Sequence, residues 1–451
     1  MVLLIFSPPT CAEELTFEEA VSFGLENNQD LVEAREEIES IHWEFAELEA
    51  ELGWEWETSA EFRKTCDNTR TTALKQLGSL DGERSFPIGF VLEPKFYLKE
   101  QEVKEEGLGR EQVHFALGVE QPIYPFTETD YQRDYIDLER DLKEAEAELE
   151  EERRELLVDW LEDYLELIEL TLEKEIEKAY LHLAKERLVE VEERYVQGEV
   201  DREELLDAKL ELNGARQDIE GVRNDYREAE RELARELRLG DQKIKVEVGS
   251  EFGCRWLEKV EEELPDLEDK EYLLELAKKN NTDLFINSLE KEELELERGW
   301  EADDRKPELV LDGEYEIEDE HQWQISLNLE ALLYDSGEYR LEKKEFEQEL
   351  IELKRERDNL LWELEADLDD LLGEIREEEL ELVEEQLTIE EEARELEAAY
   401  KDLEIGSISP REYIEAELDF KEAKLDRIEE RHEVLVVKYE LLEIIGGTLL
   451  L

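Results

Sequence analysis

The stretch YVQGEVDREELLDAKLELNGAR (195–216) returns in kind as LEIGSISPREYIEAELDFKEAK (403–424). Gly198 matches Gly406, and a branched apolar residue follows two places later in each, Val200 and Ile408. Then come acid, apolar, apolar, acid and alanine: Glu204-Leu205-Leu206-Asp207-Ala208 and Glu412-Tyr413-Ile414-Glu415-Ala416. Each glycine falls where one long helical pattern stops and another begins. Each copy therefore reads as a helical hairpin turned on a residue that tolerates left-handed backbone. A turn written twice, about half a chain apart, implies an internal duplication.

The periodicity on either side supports this. Thr16-x-x-Glu19 is a capping box that opens a helix, with Leu25, Leu31, Ile38, Phe45 and Leu52 on its apolar side and Gly53 at its end. From Trp54 the period changes to two. Trp56, Thr58, Ala60 and Phe62 share one side, and Glu57, Ser59, Glu61 and Arg63 the other, which predicts a strand with one dry and one wet face. The next stretch, rich in Thr, Asp, Gly and Asn, reads as a loop. Phe86 to Leu98 alternates again, against Pro87 and Pro94. After Gly107-Leu108-Gly109, Val113, Phe115, Leu117 and Val119 alternate with His114, Ala116, Gly118 and Glu120, before Pro122 and Pro125 close the strand region.

From about Thr129 to Val196, Leu138, Leu142, Ala145, Leu149, Leu156 and Trp160 keep a three-four spacing without Pro or Gly. That predicts one helix about 100 Å long. Gly198 ends it, and a partner helix runs from Arg202 to about Leu239. Past an irregular connector the pattern restarts: Asn280-Asn281-Thr282-Asp283-Leu284 echoes Asn27-Asn28-Gln29-Asp30-Leu31, each read as lying inside a helix. Leu309, Leu311, Gly313, Tyr315 and Ile317 alternate largely with acids, and Trp323, Ile325, Leu327 and Leu329 alternate with Gln322, Gln324, Ser326 and Asn328. A second long helix, Tyr339 to about Leu403, and a return helix, Arg411 to about Ile445, complete the copy. The expected organisation is a signal-peptide remnant (1–12), a first repeat (13–240, strands within 54–126), a connector (241–268) and a second repeat (269–451, strands within 307–334).

The 451 residues include 133 acidic and 54 basic ones, a formal net charge of −79, which excludes a nucleic-acid partner because phosphate contacts need a basic surface. The 40% apolar content argues against disorder. Runs such as Glu150-Glu151-Glu152 and Glu390-Glu391-Glu392 set like charges side by side and destabilise a helix at low ionic strength. Salt shortens the Debye length from about 10 Å at 0.1 M to about 3 Å at 1 M. The acid excess is read as adaptation to a salty medium. At the N-terminus, Val2 to Phe6 followed by Thr10-Cys11-Ala12 reads as the tail of a secretory signal, with a frayed terminus as the alternative. Cys11, Cys66 and Cys254 match no metal spacing and read as isolated thiols rather than a Cys66–Cys254 bridge. No run of 18–20 apolar residues is present to make a membrane helix.

Strands with one apolar face, inserted between helices too long and thin to cover them, are stable if they close into a membrane barrel. One chain has too few, so several copies must contribute. This order of parts, twice over, resembles the TolC-type outer membrane efflux proteins. The resemblance rests on the duplicated turn with Gly198 and Gly406, on the opening LTFEEAVSFGLENNQDL, and on the strand-to-helix junctions Gln121-Pro122-Ile123-Tyr124 and Ala331-Leu332-Leu333-Tyr334-Asp335-Ser336-Gly337. Leu332 stands where the family prefers proline.

The resemblance implies a mainly α homotrimer. Each chain would give four strands to a twelve-stranded transmembrane β-barrel and its helices to an α-barrel tunnel through the periplasm. Phe86 to Leu98, as a fifth strand candidate, is then either an extended outer loop or a sign that the first strand lies elsewhere. The resemblance places Glu412 and Glu415 at the channel constriction, with Glu204 and Asp207 as their first-repeat equivalents. It makes the turns, with Gly198, Val200, Leu205, Leu206, Gly406, Ile408, Tyr413 and Ile414, the contact for a periplasmic adaptor; packing of the hairpin itself is the other reading. The implied function is a passive exit duct of a tripartite efflux pump or type I secretion system, in the cell outer membrane, opened by adaptor and inner-membrane transporter.

No P-loop, G-x-S-x-G, H-E-x-x-H or C-x-x-C is present, and His42, His114, His182, His321 and His432 are scattered, so neither an enzyme nor a cofactor is expected. Two rivals remain at this point: a soluble acidic coiled-coil scaffold and a periplasmic adaptor. The first leaves the Trp-rich alternating segments unexplained, and the second carries one hairpin beside a compact β domain.

Overall fold

The computed structural model describes residues 14–60, 62–67, 70–101, 110–240, 242–247, 251–317 and 321–447. The expected signal remnant lies outside them, as do Cys11, Glu61, Gly107 and Gly109 and the side chains of Phe62, Arg63 and Cys66. Cys254 is a free thiol.

In chain order the elements are β1 (Glu14–Leu15), α1 (Phe17–Asn27), α2 (Gln29–Glu51), β2 (Glu55–Ser59), β3 (Phe62–Asp67), β4 (Arg70–Ser85), β5 (Val91–Gln101), β6 (Arg110–Tyr124), α3 (Asp130–Gln197), α4 (Arg202–Glu236), β7 (Lys243–Ile244), α5 (Glu251–Glu263), α6 (Lys270–Asn280), α7 (Thr282–Asp304), β8 (Glu308–Ile317), β9 (His321–Glu330), α8 (Glu338–Ile405) and α9 (Pro410–Ile444). The lengths of α1, α2, α3 and α4 are 11, 23, 68 and 35 residues, and α6, α7, α8 and α9 repeat them in the same order. The chain is mainly helical with one large sheet. Among the described residues no helix is long and apolar enough to cross a membrane.

The two asparagine echoes prove to be helix boundaries rather than helix interiors. Asn28 leaves the helical region (φ −57°, ψ 143°), and its Oδ1 accepts from the backbone N–H of Asp30 at 2.8 Å and of Leu31 at 3.3 Å. Asn281 does the same for Leu284 N at 2.8 Å. A short polar side chain that satisfies the first N–H groups of a helix can start a new one without a loop. Apolar spacing alone passes through such a break unnoticed.

Two compact units emerge, each drawing on both halves of the chain: residues up to 34 with 148–285 and 359 onward, and residues 35–147 with 286–358. The core of the first is aromatic. Phe17 stacks on Tyr164 (centroids 4.5 Å apart) and meets Phe252 and Trp256 edge-on, and Trp160 and Trp256 are fully buried. Tyr164 Oη donates to Lys245 O at 3.1 Å and accepts from Glu247 N at 3.0 Å, so the buried hydroxyl is satisfied by the segment that carries β7. The segment read as an irregular connector contains β7 and α5. The capping box of Thr16 and Glu19 is present at α1.

The second unit holds the sheet, ordered β2-β4-β5-β6-β8-β9 with β3 also on β4, every neighbouring pair antiparallel. The segment read as a loop is largely strand β4. Its Gly78, Asp81 and Gly82 carry turn chemistry in sequence, but the strand tolerates them. A Cβ on Gly82 would come 2.7 Å from the Trp56 ring, so the missing side chain makes room for the indole of its cross-strand partner. Phe86–Phe90 forms a turn, with Phe86 N donating to Phe90 O at 2.9 Å, and only then does β5 begin.

Candidate functional site

The sheet has two chemically distinct faces. Because side chains alternate and paired residues share a face, the register fixes both. One row runs Leu80–Phe96–Phe115–Ile317, and beside it Leu117 pairs Tyr315, which pairs Trp323. The phenyl rings of Phe96 and Phe115 lie 5.0 Å apart. This face is open: Trp323 is 74% exposed, Trp56 49%, and Ile325, Leu327 and Leu329 are all exposed. The opposite face carries Glu57 paired with Asp81, Glu93 opposite Gly118, and Glu314 paired with Gln324. A contiguous exposed apolar face of this breadth is a surface for lipid or another protein. A carboxylate-lined face behind it suits water and cations.

The ends of the sheet are fastened to the helices around them. Arg133, at the start of α3, donates from Nη1 to Asp304 Oδ2 at 2.8 Å, at the end of α7. That hydrogen bond holds the Asp304 carboxyl below the usual range. Asp335 Oδ1 accepts from Gly337 N at 2.9 Å and Oδ2 from Tyr339 N at 3.1 Å, capping α8, and Oδ2 also receives Arg305 Nη1 at 3.2 Å.

In the first unit, both expected hairpin turns are present. Gly198 and Gly406 have φ 78° and 74°. Asp201 caps α4 by accepting from Glu203 N and Glu204 N, and Ser409 with Glu412 forms a capping box on α9. The structure gives each expected site residue a definite setting. The Glu412 carboxylate accepts from Ser409 N at 2.6 Å, and this backbone hydrogen bond lowers its pKa. Glu415 accepts from Arg411 Nε at 2.8 Å. Glu204 accepts from Arg194 Nη1 at 3.2 Å, and Asp207 is exposed. Of the apolar turn residues, Leu206 is exposed, while Val200, Leu205, Ile408, Tyr413 and Ile414 are half-buried. The Tyr413 ring lies 6.1 Å from that of Tyr400.

Sequence reading missed the residue that joins the two hairpins. Arg411 Nη2 donates to Glu211 Oε1 at 2.9 Å, and Glu211 also receives Arg187. Thus α3, α4 and α9 are tied by one chain of charges, with Glu415 at its end. The signal was a lone basic residue at the head of α9, where the first repeat has Glu203. Val196 and Ile405, just before the turn glycines, were also missed and are strongly exposed.

Higher on the same helices, α3, α8 and α9 carry carboxyls packed together. Asp163, Glu378, Glu429 and Glu443 are each pushed up to about 7, first by burial and then by neighbouring acids, Glu236, Glu433, Glu169 and Glu155 respectively. His432 is buried beside them, its Nδ1 2.6 Å from Glu169 Oε1.

A half-apolar, half-acidic sheet and two glycine-turned hairpins on helices of 68 residues define a class: the fold is that of TolC-type outer membrane channel proteins. The likenesses are specific. The outer membrane protein VceC from Vibrio cholerae superposes with a TM-score of 0.63 at 12% identity, over 96% of each chain. The channel-forming CusC gives 0.65 at 12% identity, over 99% of this chain and 96% of its own. The CmeC outer membrane channel of Campylobacter jejuni gives 0.61 at 15% identity, over 95% and 85%. No protein-family model and no curated protein sequence matches the chain.

Proposed function

We propose that the chain is the outer membrane exit duct of a tripartite efflux pump or type I secretion system. Three copies close their sheets into one lipid-embedded barrel, and their long helices form an α-barrel tunnel in the periplasm. On this reading residues 13–240 and 269–451 are two copies of one structural repeat. The observation that carries the reading is the sheet: a broad exposed apolar face backed by an acidic one, with nothing among the described residues to cover it. Lipid covers such a face, and closure satisfies its edges.

The duct is passive, and it is not an enzyme. Energy comes from an inner-membrane transporter, and a periplasmic adaptor engages the turns at Gly198 and Gly406, where Val196, Leu206 and Ile405 offer apolar surface. Glu415, held by Arg411, and Glu412 sit at the inner constriction, with Glu204 and Asp207 on the first hairpin; threefold symmetry gathers each into a ring of carboxylates that attracts cations. The resemblance gives this kind of barrel four strands per chain, twelve in all.

Membrane fractionation followed by electrophoresis with and without boiling tests the reading. A heat-modifiable trimer in the outer membrane fraction that conducts in planar bilayers supports it. A buffer-soluble elongated monomer would instead establish the acidic scaffold.

A further inference from the structure

We propose that the barrel formed by these chains has eighteen strands, with β2 of each copy pairing antiparallel to β9 of the next. This rests on the trimeric channel reading above and changes its wall. The sheet comprises seven strand segments, but β2 and β3 pair one after the other with the single strand β4, at Ser79–Glu83 and Arg70–Lys75. β2 ends at Ser59 and β3 begins at Phe62, both along the same side of β4, so the two count as one position in a wall and the described residues of each chain supply six.

Three features place all six in the wall. First, the strand pair β2/β3–β4 is not an appendage. β4 lies along β5 from Lys75↔Glu100 to Ser85↔Val91, and the apolar row continues across it through Leu80 and Phe96. Restricting the wall to β5, β6, β8 and β9 requires β9 of a neighbour to displace β4 from β5. A backbone group left unpaired in lipid has no water to satisfy it, so that exchange is unfavourable. Second, the turn between β4 and β5 is built into the entry of α3: Thr129 Oγ1 donates to Pro87 O at 3.0 Å, and Gln121 Nε2 to Ile88 O at 3.3 Å. The β4–β5 turn is thereby fixed at the end of the sheet where the helices attach. Third, the parity is right. Every neighbouring pair is antiparallel, so in a run of six the two edge strands, β2 and β9, point in opposite directions. Side by side they extend the same antiparallel ladder, whereas an odd number would force a parallel seam. β2 also enters the sheet as β8 does, three residues after a 23-residue helix.

Edge strands that expose both an unpaired backbone and apolar side chains pair with another strand. Here the occupant is a second copy, because the one edge is complementary to the other in direction and both carry the apolar face on the same side. With strands about 4.8 Å apart and tilted about 40°, twelve strands close at a backbone diameter of about 24 Å and eighteen at about 36 Å.

Electron cryomicroscopy of the full-length oligomer in lipid nanodiscs reads the strand number directly. Eighteen strands, with residues 55–59 at the seam, is the expected result. A closed trimer of twelve strands with residues 55–85 outside the wall overturns the inference and leaves the channel reading standing. The absence of any closed threefold barrel overturns both. Disulfide trapping gives an independent readout in a background with Cys11, Cys66 and Cys254 replaced by Ser. Thr58→Cys combined in turn with Ile325→Cys, Leu327→Cys and Leu329→Cys should yield oxidation-dependent dimer and trimer bands for at least one pair. No band from any pair, in an oligomer that still forms, contradicts the seam.

Discussion

Trp56 and Gly82 face each other across β2 and β4, and a methyl group on Gly82 would stand 2.7 Å from the indole ring. The empty glycine position lets the ring lie over the backbone of the neighbouring strand. Gly82→Ala should displace the indole and weaken the sheet by about 1 kcal/mol. The measurement is thermal unfolding followed by circular dichroism, whose midpoint should fall. Trp56→Ala should fall similarly, and the double variant should fall by less than the sum, since one contact is lost in both cases.

The turn glycines act through backbone alone. A Cβ on Gly198 or Gly406 meets nothing within 4 Å, yet both have left-handed φ. Gly198→Ala and Gly406→Ala should each cost about 1–2 kcal/mol, the left-handed penalty of an L-residue. Gly214, helical and equally unobstructed, is the control: Gly214→Ala should stabilise by about 0.5–1 kcal/mol. Thermal unfolding followed by circular dichroism separates the two signs.

Arg411 links Glu415 to Glu211 and, through it, to Arg187. Arg411→Ala should release α9 from α4 and leave carboxylates facing one another. In the proposed channel, single-channel conductance should rise, and multivalent cations should block more strongly. Glu415→Ala should weaken that block. Glu412→Ala should also cost the α9 capping box about 1 kcal/mol, so its effect on block is read beside its melting curve.

The packed carboxyls set a pH dependence. Asp163, Glu378, Glu429 and Glu443 titrate near 7 in the folded chain, above the carboxylate range of about 4 in an unfolded one. Between those values the folded state holds protons that the unfolded state has released. Their contribution is therefore full below about pH 4 and is lost as pH rises to 7. Melting should occur at lower temperature at pH 8 than at pH 5.5. Asp304 and Glu412, with lowered values, act oppositely, and their contribution is lost only on stronger acidification.

Salt should matter in the same direction as acid. With a formal net charge of −79, transfer from molar salt to dilute buffer at pH 8 should reduce helicity in circular dichroism. Unchanged helicity would remove the case for adaptation to a salty medium.

Much of the helical framework was legible before folding, because helical period is local. Leu138, Leu142, Ala145 and Leu149 announce α3 without reference to any distant residue. The glycine turns were legible for the same reason. The breaks at Asn28 and Asn281 were not, since a helix-starting cap preserves the apolar spacing on both sides of it.

The sequence by itself determined which segments are rods, where they reverse, and that several strands have one dry and one acidic face. Only tertiary structure decided that residues 70–85 are strand, that seven strand segments share one sheet, and that Arg411 finds Glu211, 200 positions away along the chain. The reason is range. Periodicity is fixed by neighbours a few residues apart. A glycine under a tryptophan, or an arginine between two acids, acquires its meaning only when a partner remote in sequence arrives beside it.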